Sequence, residues 1–274
     1  AVGEPLYVDV MSSLAKMGIC ASVYGGRYGL GSKEFTPACV KAVFDNLKLQ
    51  SPKTNFTVGI EDDVTNLSLD VKPFKIDHDN IEYKFFGLGS DGTVSANKNS
   101  IKIIGENTDK YTQGFFEYDS KKSGSITISH LRISDTPIKS TYTLTNADFI
   151  AIHNYSFVAR YDVLKGLNKG GIVLLNTVLN EEGLSNDLPD YFVYALKQNN
   201  AKLYVLNAQE VAKDCGLGNK INVIMQTAFF KLANIMDFDK AIYSMREAVK
   251  KTYGKKGDAV VEKNFKAIDE ALSK

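Results

Sequence analysis

Apolar positions recur along this chain with two different periods, and the way the periods alternate sketches an α/β protein. Leu6 to Lys16 reads as a helix, and Ile19 to Tyr24 reads as a short strand running into a glycine cluster at Gly25, Gly26, Gly29 and Gly31. A second helix is well marked at its start. Thr36 can cap the free amides, and Pro37 takes the first helical position, where a missing N–H costs nothing. Val40, Val43, Phe44 and Leu47 then follow at helical spacing. Phe56 to Ile60 makes another strand, closed by the acidic run Glu61-Asp62-Asp63. This is a β-α-β piece, too small to fold well alone. Periodicity lapses between Leu67 and Asn80, around Pro73 and several charges, which marks a linker.

A new unit then opens. Ile81 to Phe86 reads as a strand, Thr93 to Ile104 as a helix and Tyr111 to Tyr118 as a second strand. Ile126 to Ile133 alternates as a strand should, and Thr141 to Leu144 is read as an extension of the same sheet. Phe149 to Ile152, Ile172 to Leu175 and Leu203 to Leu206 are short apolar runs separated by helical patterns, the signature of buried parallel strands. The tail is helical, with one apolar stripe at Phe238, Ala241, Ile242, Met245, Ala248 and Val249 and a second at Val260, Val261, Phe265, Ile268 and Leu272. Both stripes read as core packing.

The chain has 274 residues, which at roughly 100 to 200 residues per domain suggests two domains. With 44% hydrophobic and 24% charged residues it has the make-up of a folded globular protein. Lysines and arginines number 33 against 32 acidic residues, so no overall field draws the chain to nucleic acid or anionic lipid, and any anion site must be local. Neither a nucleic acid nor a membrane is an expected partner. Cys20, Cys39 and Cys215 lie far apart and have no metal-ligand spacing, which argues against a zinc or iron–sulfur site. No apolar run reaches the roughly 18 residues of a membrane span, no secretory signal is visible, and the three N-x-S/T sequons are read as unused, so the expected location is cytoplasmic. The start at Ala1-Val2-Gly3-Glu4, without an initiating Met, fits excision from something longer.

The sharpest local signal is Gly87-Leu88-Gly89-Ser90-Asp91-Gly92-Thr93, a G-x-G-x-x-G directly after one strand and directly before a helix. Glycines there permit a tight turn and close backbone approach, so the helix can present free amides and its positive dipole end to a phosphate. Asp91 complicates this, because its charge repels phosphate while suiting the helix dipole; it can instead accept from a hydroxyl. A tight turn with no ligand is the plain alternative. At the end of the next strand the chain runs Asp119-Ser120-Lys121-Lys122-Ser123-Gly124. The lysines favour a ribose phosphate, which both coenzyme A and NADP carry, although adjacent lysines are also common in a solvated turn.

Longer stretches carry a resemblance. Gly26-Arg27-Tyr28-Gly29-Leu30-Gly31-Ser32-Lys33-Glu34-Phe35, Phe56 to Thr65 (FTVGIEDDVT), Gly89 to Gly105 (GSDGTVSANKNSIKIIG), Tyr118 to Gly124 and Ser129-His130-Leu131-Arg132 resemble the pyruvate:ferredoxin (flavodoxin) oxidoreductase family along essentially the whole chain. Where many relatives have Gly before Ala-Asn-Lys, this chain has Ser95. The resemblance implies an internal fragment of a longer enzyme. Residues 1–70 would be the end of a transketolase C-terminal-like domain, and residues 71–274 an α/β gamma domain with a helical tail that holds coenzyme A. It further implies that Gly89, Ser90, Asp91, Gly92 and Thr93 form the coenzyme-binding loop, with Lys121, Asn222 and Asn264 as the remaining coenzyme contacts. By the same resemblance, thiamine diphosphate and [4Fe–4S] clusters belong to the full-length enzyme outside this chain. The intact enzyme would oxidatively decarboxylate pyruvate to acetyl-CoA, pass electrons to ferredoxin or flavodoxin, and form a homodimer. The partner of this segment would be the rest of its own polypeptide, and the fragment alone would be inactive, with no catalytic residue of its own.

The other candidates are weaker. None of Cys20, Cys39, Cys215, His78, His130 or His153 sits in a catalytic signature, and all are read as core or surface positions. Glu61-Asp62-Asp63 suits a hard cation, but a surface turn is the simpler reading. Two other functional classes stay open at this point: a free-standing NADP-binding α/β oxidoreductase domain using the same turn and lysines, and a scaffold module whose turn is empty.

Overall fold

The structure, a computed structural model, describes residues 3–61, 63–74, 76, 78–119 and 124–273. The chain divides into two compact units, Ala1–His78 and Asp79–Lys274.

In the first unit, helix α1 (Pro5–Lys16) has proline at its start and closes through the left-handed Gly18, with Ile19 N–H donating back to Leu14 O. That bond is one reason why Ile19 to Tyr24 is no strand. The other is that these residues are largely exposed and pair with no strand among the described residues; the strand β1 is instead Gly26–Arg27. Helix α2 (Pro37–Leu47) starts as the sequence indicates, Thr36 Oγ1 accepting from Cys39 N–H at 3.4 Å. Strand β2 (Phe56–Thr57) pairs in parallel with β1, and the positive φ of Gly59 ends it well before Ile60. A small core gathers Cys39, Phe56 and Val58, with Phe35, Val43, Leu69 and Val71 packed around it. Val40, Phe44 and Leu47 are exposed, and α1 buries no residue at all. Two strands of two residues offer too little sheet to cover either helix.

The second unit contains strand β3 (Ile81–Leu88), helix α3 (Thr93–Asn107) and strands β4 (Tyr111–Tyr118), β5 (Ile126–Ser134) and β6 (Ala147–Ile152). Helix α4 (Ser156–Arg160), strand β7 (Leu167–Asn176), helices α5 (Glu181–Asp187) and α6 (Asp190–Gln198) and strand β8 (Lys202–Leu206) follow. Helices α7 (Ala208–Asp214), α8 (Asn222–Ala233), α9 (Phe238–Tyr253) and α10 (Asp258–Glu270) complete the chain. The strands form one sheet in the order β4-β5-β3-β6-β7-β8. The pairs β4/β5 and β5/β3 are antiparallel, and β3, β6, β7 and β8 run parallel.

Side chains alternate across this sheet and so supply two cores. Tyr83, Phe85, Phe149, Ala151 and Leu174 face α3 and α7–α10, while Phe86, Ile150, Ile152, Val173 and Leu175 face α4–α6. Phe229 of α8 sits edge-on to Tyr83, Phe85 and Phe149 at ring-centroid distances of 5.1 to 5.3 Å. Each such buried aromatic contributes about 1.5–3 kcal/mol from area alone.

Thr141 to Leu144 is not a strand, because side chains of β5 take its backbone groups. Arg132 donates to Thr143 O, and Leu144 N–H donates to His130 Nδ1. Arg132 also pairs with the buried Glu82 at 3.0 Å, bonds Gln113 and stacks on Tyr142. Among the described residues, no helix is long and apolar enough to cross a membrane.

Candidate functional site: the glycine turn at the end of β3

Strands β3 and β6 are adjacent and parallel, yet α3 leaves β3 for one face of the sheet and α4 leaves β6 for the other. The carboxyl ends of two such strands are where open α/β sheets bind ligands. The glycine sequence lies at this point. Gly87 has no room for a side chain, since a Cβ there would fall 2.6 Å from Thr93 Oγ1. Ser90 and Gly92 both have positive φ, 76° and 92°, so the chain reverses within four residues and starts α3.

Asp91 holds this turn together. Its Oδ1 accepts from Thr93 N–H at 2.7 Å, and its Oδ2 accepts from Leu88 N–H and from the Thr93 hydroxyl, both at 2.8 Å. The carboxylate therefore faces inward and caps α3, where a negative charge is favourable. The hydroxyl it accepts from belongs to the chain itself. Behind Thr93 lies His153, directly after β6, with Nδ1 2.8 Å from Thr93 Oγ1. His153 is buried, and burial pushes its imidazole down to about 4, so the ring is neutral near pH 7. The tie continues deeper. His153 O accepts from Asn176 Nδ2 at 2.7 Å, and Asn176 Oδ1 accepts from Ala208 N–H at the start of α7.

On the outer side the turn opens into a cleft of about 700 Å³ lined by Leu88, Gly89, Ser90, Asp91, Gly92, Val94, Ser95, Lys98, Tyr118, Asp119 and Thr127. One wall is the first turn of α3, where the Val94 and Ser95 amides have no helical carbonyl to reach. The opposite wall is the β4–β5 hairpin, fastened to the turn by Gly89 N–H donating to Ser125 O at 2.7 Å.

The residues singled out in the sequence fall into three groups. Gly89, Ser90, Asp91 and Gly92 line the cleft, and Thr93 lies buried directly beneath them. Asn222 joins them from α8: a Cβ on Gly92 would sit 3.3 Å from its side-chain amide. Asn264 is buried on α10 and donates to Val260 O of its own helix at 2.8 Å; among the described residues no hydrogen bond joins it to the turn. Lys121, with Ser120, Lys122 and Ser123, lies outside the described residues.

His130 is buried in β5, with Nε2–H donating to Glu117 Oε1 at 2.5 Å, and that bond holds the Glu117 carboxyl below the usual carboxylate range. Cys39 and Cys215 are buried and Cys20 is exposed, and none of the three is in a disulfide among the described residues. Asp63 accepts from Thr65 and from Ser68 N–H, closing a turn, while Asp62 lies outside the described residues.

This fold is that of the gamma-type modules of 2-oxoacid oxidoreductases. Pyruvate oxidoreductase subunit PORC from Thermotoga maritima superposes with a TM-score of 0.54 at 20% identity, over 71% of this chain and 96% of that one. A 2-oxoglutarate:ferredoxin oxidoreductase from Magnetococcus marinus, solved with 2-oxoglutarate, coenzyme A and succinyl-CoA bound, matches with a TM-score of 0.54 at 15% identity, over 72% of this chain and 31% of that one. The sequence narrows the class. Residues 82–274 match the family model for pyruvate ferredoxin/flavodoxin oxidoreductase, and the chain belongs to that family. It is 54% identical over 275 aligned positions to the pyruvate:ferredoxin oxidoreductase of Moorella thermoacetica; the alignment covers 99% of this chain and 23% of that protein. The chain thus spans about a quarter of the length of the curated relatives it matches.

Proposed function

We propose that this chain is the coenzyme A-positioning part of a pyruvate:ferredoxin (flavodoxin) oxidoreductase and works joined to the rest of its own polypeptide. In this reading residues 1–70 end a transketolase C-terminal-like domain and residues 71–274 form the gamma domain. The observation that carries it is the cleft at the Gly89–Thr93 turn, where first-turn amides of α3 face open space and the Asp91 charge is turned inward. Such a corner suits a diphosphate. Gly89, Ser90, Gly92 and the first turn of α3 hold the diphosphate, Asp91 and Thr93 fix the turn, and Asn222 abuts it. Lys121 pairs with the ribose phosphate, and Asn264 completes the site with the coenzyme in place.

The intact enzyme converts pyruvate to acetyl-CoA in the cytoplasm, acts as a homodimer and passes electrons to ferredoxin or flavodoxin. Thiamine diphosphate and [4Fe–4S] clusters, held elsewhere in the polypeptide, supply decarboxylation and electron transfer when bound. This segment places the coenzyme A thiol where the acetyl group is collected, which is a proximity role. Calorimetric titration of the full-length enzyme tests the reading. Coenzyme A binds, dephospho-coenzyme A binds more weakly, and Lys121→Ala narrows the difference between them. Preferential binding of NADPH would support an NADP-binding domain instead, and no binding of either would support a scaffold.

A further inference from the structure

Within the second unit, the side chains of Asn97, Thr127, Ser129 and Arg246 each carry a buried polar atom with no hydrogen-bond partner among the described residues. Of these, Thr127 lines the cleft. It is only 5% exposed, and an unpaired buried hydroxyl is costly to leave in that state, so a partner that reaches it from the cleft would be favoured. The sheet register places Thr127 between Gly87 of β3 and Tyr118 of β4. Neighbours in register share a face, and this face is the one covered by α3. The cleft is also lined by Lys98, three and four residues on from Ser95 and Val94 and hence on the same side of α3 as they are. Its ammonium rests 5.1 Å above the Phe116 ring, a position in which the charge stays available to an anion.

We propose that Lys98 and Thr127 are binding residues for the coenzyme's diphosphate. The Lys98 ammonium and the α3 amides hold it, and the Thr127 hydroxyl, lining the same cleft, donates to it. This inference rests on the coenzyme A reading of the same cleft and adds two residues to it. A diphosphate is favoured over the ribose phosphate because the cation, the first-turn residues of α3 and the hydroxyl all line the cleft at the glycine turn.

The test is titration of the full-length enzyme and its Lys98→Ala and Thr127→Val forms with coenzyme A and with dephospho-coenzyme A, alongside thermal melting without ligand. Lys98→Ala is expected to weaken both ligands equally, by about tenfold, with the loss shrinking as salt is raised. Thr127→Val keeps the shape and removes the unpaired hydroxyl. It should raise the melting temperature of the unliganded enzyme while weakening coenzyme A about tenfold, and Thr127→Ser should restore binding. A merely structural threonine would not show that opposition. If both variants bind as tightly as the wild type, the inference falls while the coenzyme A reading stands. If Lys98→Ala weakens only coenzyme A, its partner is the ribose phosphate and the diphosphate assignment is overturned. If the wild type binds neither ligand, both fall together.

Discussion

His153 Nδ1 and Thr93 Oγ1 lie 2.8 Å apart across 60 residues of sequence, and the direction of the bond between them can be read. The single Thr93 hydroxyl proton goes to the Asp91 carboxylate, which has none to give. His153 must therefore donate from Nδ1–H to Thr93, fixing one neutral tautomer. Three side chains from two segments thus brace the glycine turn.

Replacing His153 by alanine removes that donor and leaves a hole behind the turn. The expected cost is about 2–4 kcal/mol of stability, with coenzyme A binding weakened as well. Denaturant melts and calorimetry on His153→Ala check both. His153→Asn retains an amide donor and should recover part of the affinity.

The same imidazole makes stability depend on acid. In the unfolded chain His153 takes its proton near its ordinary 6.5, whereas the folded protein holds it neutral down to about 4. Between these values the unfolded state binds more protons, so stability present above pH 6.5 is lost as pH falls towards 4, by on the order of 3 kcal/mol. Denaturant unfolding from pH 7 to pH 4 should show a shallower decline in His153→Asn than in the wild type. Equal slopes would remove His153 from the account.

Asp91→Ala takes the acceptor from Leu88 N–H, Thr93 N–H and the Thr93 hydroxyl at once. A loss of about 1–3 kcal/mol is expected, together with weaker coenzyme A binding despite the removal of a negative charge. Tighter binding would mean that the charge acts on the ligand rather than on the turn.

Far from the cleft, Arg132→Met strips the buried Glu82 of its guanidinium partner and should cost about 3–5 kcal/mol. Pairing it with Glu82→Leu should return most of that, which thermal melts of the single and double variants can measure.

What the sequence reveals and what it hides follow from the range of each interaction. The β3–α3 turn is legible because glycine spacing, a preceding apolar run and a following helical stripe are all local. Strands β4 to β8 show through period or continuous apolarity, and α9 and α10 through amphipathic stripes. Helix α8 shows no stripe because Val223 through Phe230 are buried on every side. Ile19 to Tyr24 has strand-like composition, but a strand exists only through a partner, and Ile19 N–H is spent on closing α1. Thr141 to Leu144 fails for the same reason, its backbone groups being taken by Arg132 and His130. The regular spacing of Val40, Phe44 and Leu47 is real, but it reads an exposed face. Gly89 to Gly92 line the cleft, with Thr93 beneath them and Asn222 beside Gly92. His153 and Thr127 carry no local signal, since their surroundings arise only when β5, β6 and α3 are placed side by side.

The most direct measurement is a crystal structure of the full-length enzyme grown with coenzyme A. The account predicts density for the diphosphate against the backbone of Gly89 to Ser95, with the adenosine end towards the β4–β5 hairpin. Coenzyme A bound at another surface, with the Gly89–Thr93 corner filled by side chains from the remainder of the polypeptide, would contradict it.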